Sequence, residues 1–203
     1  MFDDDEEEGF YEDGRLREDI ELFQKYLETG EHYGFLDSDR WEAMLDHFVM
    51  QGQYTTAIKC AEEALQQFGF NHQYKVRKAQ ALSAVGKLKE AVNLLTEVER
   101  SGGANFELLL TKAAVFSQLK DSKNAIKYFT AALNEASAED KDEVYLDLAM
   151  EYENKGDYKS ALKILKQAIK YNAKNEGAIY EAAYCYDQLG EFCLLYTSDA
   201  ADE

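Results

Sequence analysis

The 203-residue chain carries 40 acidic against 22 basic residues, and its formal charge of −18 excludes phosphate backbones and anionic membrane surfaces as general partners. A hydrophobic content of 46% suffices for a buried core, and the absence of proline, where roughly 5% is usual, points to helices joined by tight Gly, Ser or Asn turns. Cys60, Cys185 and Cys193 form no CxxC pair and His32, His47 and His72 are scattered, which excludes a disulfide framework and a zinc site.

The N-terminal stretch MFDDDEEEGFYEDG has neither the basic n-region nor the apolar h-region of a signal peptide. No apolar run approaches the roughly 18 residues of a membrane helix, so a soluble cytoplasmic protein is expected. Six consecutive carboxylates, Asp3–Glu8, resist compaction, and residues 1–14 are expected to be disordered. Residues 15–37 read as a helix and linker: Leu16, Ile20, Phe23, Tyr26 and Leu27 recur at helical spacing, and Gly30 is a fitting stop.

Beyond residue 37 the sequence repeats. Gly52 and Gly86 lie 34 apart, as do Gly156 and Gly190, and Ala57, Ala91 and Ala125 keep the same step. A second alanine series, Ala79, Ala113, Ala149 and Ala183, steps by 34, 36 and 34, the 36 marking a two-residue insertion near 137–141. The register divides the chain into repeats 38–71, 72–105, 106–141 and 142–175 and a partial repeat 176–192, each holding two helical segments. Small residues at repeat positions 8 and 20 allow paired helices to approach closely, and large ones at position 11 (Phe48, Leu82, Phe116, Tyr152, Tyr186) fill the space between pairs. One pair cannot bury both its apolar faces, so the core exists only through stacking.

With its small, aromatic and glycine positions agreeing across four units, the stretch 38–192 resembles a tetratricopeptide repeat array, most closely in YLDLAMEYENKGDYKSALKILKQAI. The expected fold is therefore all-α, a right-handed helix–turn–helix solenoid, similar to bacterial cytoplasmic proteins built almost entirely of such repeats. Departures are the missing proline, replaced by Gly69, Gly103, Ser137 and Ala173, the turn residue Lys120 in place of glycine, and Leu45 where a small residue belongs.

The resemblance implies a binding protein whose first helices line a concave groove through repeat positions 2, 5, 9, 12 and 13. On this chain the candidate partner-binding residues are Val76, Gln80, Leu110, Ala114, Leu146, Met150, Tyr180 and Tyr184. The groove lacks the Lys and Asn arrangement with which chaperone adaptors grip a C-terminal carboxylate, Arg77 being its one candidate cation. An apolar stripe rimmed by Glu143, Asp147, Glu181 and Asp187 either suits an amphipathic helix or extended segment carrying Lys or Arg at its edges or is covered by the chain's own downstream helices. Lys159, Lys163, Lys166 and Lys170 share one helix face and read as solvated convex surface; His47 lacks a nucleophile or orienting partner; SGGAN at 101–105 lacks the Lys-Ser/Thr of a phosphate loop.

The expectation is thus a non-enzymatic scaffold without cofactor or metal that binds a peptide or helix of a protein partner of unknown identity. The alternatives are the regulatory part of a longer enzyme or signalling protein cut at residue 192, and self-association through an open last repeat. The last eleven residues, CLLYTSDAADE at 193–203, break the register and match one reading frame of a transposon-based sequencing adapter, so they are expected to be a non-native tail.

Overall fold

The computed structural model describes residues 4–31 and 33–190, and all of their regular structure is helical. Ten helices follow in chain order: α1 (Asp4–Thr29), α2 (Ser38–Met50), α3 (Tyr54–Gln67), α4 (His72–Ala84), α5 (Leu88–Arg100), α6 (Phe106–Gln118), α7 (Ser122–Glu135), α8 (Lys141–Asn154), α9 (Tyr158–Tyr171) and α10 (Glu176–Gln188). The fold is an all-α array of helix–turn–helix repeats, with α2, α4, α6, α8 and α10 the first helices of successive repeats. The chain forms two compact units, Met1–Leu94 and Leu95–Glu203. The tail 193–203 lies outside the described residues.

Helix α1 begins at Asp4, within the acidic stretch 1–14. Further along, the apolar face of α1 is anchored in the first unit. Phe23 is fully buried in a cluster with Trp41, Met44, Leu45 and Phe48, against which Leu16, Ile20, Tyr26 and Leu27 pack. Glu63 of α3 accepts hydrogen bonds from Tyr26 (2.8 Å) and Tyr33 (3.3 Å), and Arg40 pairs with the buried Asp19 (Nε···Oδ2 2.8 Å). Leu45, which departs from the small-residue rule, is buried in this cluster.

The small residues have the role their spacing suggests. Ala57, Ala79, Ala91, Ala113, Ala125, Ala149 and Ala161 are all buried, and α2 packs on α3, α6 on α7 and α8 on α9. With only a methyl at these contacts the paired helices can pack closely, since interaxial distances of about 8–10 Å depend on the side chains there.

The turns between paired helices close by a common device. In the turn after α8, the Asp157 N–H bonds the Tyr152 carbonyl (2.9 Å) and the Gly156 N–H bonds the Glu153 carbonyl (2.7 Å), with Gly156 at φ +75°. These two bonds satisfy carbonyls that the helix end would leave unpaired. The Asp157 carboxylate then accepts from the Ser160 N–H (3.1 Å) and opens α9. After α6 the same bonds run from Asp121 to Phe116 and from Lys120 to Ser117, and Lys120 takes the left-handed conformation at φ 62°. A lysine Cβ is crowded there. Lys120→Gly is accordingly expected to raise stability by about 0.5–1 kcal/mol; urea unfolding followed by circular dichroism checks it, and a lowered midpoint would contradict it.

Candidate functional site

Within the second unit, α6, α8 and α10 carry most of the candidate residues, and each owes its position to a well-defined start or close packing. Asn105 caps α6 by accepting from the Leu108 N–H (2.9 Å), and Asn175 caps α10 by accepting from the Ala178 N–H (2.9 Å). Helices α8 and α10 meet where Gly177 lies against Leu146: a Cβ on Gly177 would stand 3.1 Å from Leu146 Cδ1. Glycine there lets the Leu146 side chain fill the gap.

The candidates divide by burial. Leu110, Ala114 and Leu146 are half-buried, Leu110 and Leu146 as packing partners of the core. Met150 (53% exposed), Tyr180 (73%) and Tyr184 are open to solvent. Tyr184 stands 6.1 Å edge-to-face from Tyr158, whose hydroxyl pushes the Tyr184 phenol up by hydrogen bonding. In the first unit Gln80 is half-buried and its Oε1 accepts from Arg77 (3.3 Å), while Arg77 also pairs with Asp46 at 3.1 Å. Val76 is only 2% exposed, its side chain taken up by packing.

Carboxylates accompany this apolar surface. Asp147 is half-buried, and desolvation, reinforced by the charges of Glu143 and Glu151, pushes it up to about 6. Glu153 is also raised, first by burial and further by Glu181, against a hydrogen bond from Cys185 Sγ (3.4 Å). Glu151 is 3% exposed; its Oε1 accepts from Ser117 of α6 and from Asn154 Nδ2 (3.2 Å).

Asp147 makes stability depend on pH in a defined sense. Its folded value lies above its ordinary 3.8, so the folded state holds the proton more tightly: the penalty is full above pH 6 and relieved as pH falls toward 4. Asp147→Asn is expected to stabilise the protein by about 1 kcal/mol at pH 7, after discounting for solvent screening, and by close to nothing at about pH 3, below the ordinary value. Urea unfolding at both pH values measures this, and equal gains at both would contradict it.

In the second unit two buried charged groups escaped the sequence reading. Lys112 of α6 is buried and pairs with Glu99 (2.7 Å), its ammonium 4.8 Å from the centre of the Tyr128 ring. Glu151 is the other. The available signal was a column one: repeat position 10, occupied by Glu151, holds the apolar Ala81, Val115 and Cys185 in three of the other four repeats and His47 in the first. His47 packs edge-to-face on Phe48 (5.7 Å), and Cys60 and Cys185 are free, buried thiols, Cys185 pushed up to about 12 mainly by burial. Among the described residues no cluster of three His, Cys, Asp or Glu could hold a metal ion, and no helix is long and apolar enough to cross a membrane.

Comparison with known proteins gives this architecture a family context. A family model described as the Psidin N-terminal TPR repeats region matches residues 44–180. A tetratricopeptide repeat protein 30 homolog from Caenorhabditis briggsae is 27% identical over 143 residues, which make up 68% of this chain and 21% of that protein's length. Among solved structures, MamA superposes with a TM-score of 0.64 at 14% identity, covering 78% of this chain and 88% of its own. YrrB, described as a TPR protein with an unusual peptide-binding site, gives 0.60 at 18% identity with 84% of both chains covered. A tetratricopeptide repeat protein from Parabacteroides merdae gives 0.63 at 18% identity, covering 75% of this chain and 60% of its own. At these identities the structural likeness speaks for the fold alone.

Proposed function

This chain belongs to the tetratricopeptide repeat family in the form described by the Psidin N-terminal repeats region, and from that premise we propose that it is a non-catalytic scaffold binding a peptide or helix of a partner protein. The binding face is the first-helix surface of the second unit, comprising Leu110, Ala114, Leu146, Met150, Tyr180 and Tyr184. The observation that carries this reading is the solvent exposure of Met150, Tyr180 and Tyr184 on α8 and α10, helices whose other faces are packed into the core. Large apolar and aromatic side chains left open on neighbouring helices are the features by which a groove grips an amphipathic segment. The peptide-binding site in YrrB's description supports the assignment by analogy of fold. The free, buried thiols of Cys60 and Cys185 fit a reducing interior such as the cytoplasm.

Panning a phage-displayed library of random 16-residue peptides tests the proposal. The wild type is expected to enrich one or more peptide families, and Met150→Glu/Tyr180→Glu to retain them at least about tenfold less well. Both changes fall on exposed positions and leave the core intact. Failure of the wild type to enrich any family, or equal retention by a folded double variant, would overturn the assignment.

A further inference from the structure

We propose that the carboxylates of α8 seat one cationic side chain of the bound peptide, an arginine in preference to a lysine. This inference rests on the reading of the first-helix face as a peptide site and adds the chemistry of the residue it selects.

Glu143, Asp147 and Glu151 are spaced by four residues, which sets them in one row along α8. Among the described residues none of the three takes part in an ion pair. The second observation is independent of the row. Glu151 is 97% buried, and although its Oε1 is occupied by Ser117 and Asn154, its Oε2 is buried with no hydrogen-bond partner. Buried carboxylate oxygens are almost always satisfied, because desolvation without a donor is unfavourable. This oxygen, one helical turn from the half-buried Asp147, is an acceptor that no donor among the described residues satisfies.

The geometry selects the donor. Two carboxylates one helical turn apart present several acceptor lone pairs, and a guanidinium offers five N–H donors in a planar fork that can bridge them. A lysine ammonium delivers the same charge from a single point and satisfies fewer acceptors. Met150, exposed and three residues after Asp147, adjoins the row and gives the aliphatic stem of the incoming side chain an apolar bed. The overall charge of −18 draws cationic segments toward the protein and disfavours acidic ones. The competing occupant is a second copy of the chain, whose α9 carries Lys159, Lys163, Lys166 and Lys170.

The same 16-residue library, panned in EDTA so that no divalent ion mediates binding, tests the inference against wild type and Asp147→Asn/Glu151→Gln. The amides keep side-chain shape and leave Ser117 an acceptor; should the double variant fail to fold, Asp147→Asn alone takes its place. Peptides enriched on wild type are expected to carry an arginine at a fixed position. Replacing it by norleucine should weaken wild-type binding by about tenfold or more and binding to the carboxamide variant less than about twofold. Enriched peptides without a basic preference, or a norleucine penalty equal on both proteins, would overturn the inference while leaving the peptide-binding face intact. No enrichment on wild type would instead remove the peptide-binding reading and this inference with it. Dimerisation in sedimentation experiments that the carboxamide variant abolishes would overturn the inference in favour of the second copy's lysines.

Discussion

Phe23→Ala is expected to destabilise the first unit by about 3–5 kcal/mol. Phe23 is fully buried, and its ring centre lies 5.7 Å from Tyr33, 5.8 Å from Trp41, 5.9 Å from Tyr26 and 6.0 Å from Phe48. Truncation removes a large apolar area and opens a cavity among rigid rings that cannot collapse into it. Two of these contacts, with Tyr33 and Trp41, are edge-to-face and contribute beyond their area. Trp41 is the single tryptophan of the chain, so denaturant unfolding followed by its fluorescence reports on this unit. A loss below about 1 kcal/mol would mean that α1 contributes little to the first repeat's core. The expected loss makes α1 an integral helix of the unit that covers a face the first repeat cannot bury alone.

The second large effect is asymmetric. Removing Glu99 by Glu99→Ala is expected to cost about 3 kcal/mol, because it strands the ammonium of Lys112, which is only 2% exposed. Lys112→Met should cost less than about 1 kcal/mol, since an unbranched apolar side chain fills similar space and Glu99, about one third exposed, returns to solvent. Calorimetric unfolding of the two variants measures the difference. Equal losses would show that the pair acts through attraction alone, without the desolvation that makes the lysine depend on its partner.

The sequence is most legible where one residue type recurs. Independent glycine and alanine series at one period locate the paired helices and the turns between them, because backbone geometry and close approach admit few residues at those places. The acidic N-terminus is less legible: its charge density gives no sign of where helix α1, Asp4–Thr29, begins. The candidate face is legible only in part. Repeat position placed Met150, Tyr180 and Tyr184 on the first helices, where they are exposed, and placed Val76 there as well, where it is buried. Position says which helix face a residue occupies, while burial depends on neighbours brought in from other repeats. For the same reason Glu151 and Lys112 were invisible as buried charges: their environments are assembled from Ser117 in one case and Glu99 in the other.

The Lys112–Glu99 pair also fixes the order in which these repeats can be joined. Repeat position 28, where Glu99 stands, is Leu65, Leu133 and Ile169 in the other complete repeats. A tandem duplication of residues 106–141 would set the second copy of Lys112 against Leu133, leaving a buried ammonium without a carboxylate. The modules of this array are alike in shape but not interchangeable, and gene-level shuffling of its repeats is restricted at this junction by one buried charge.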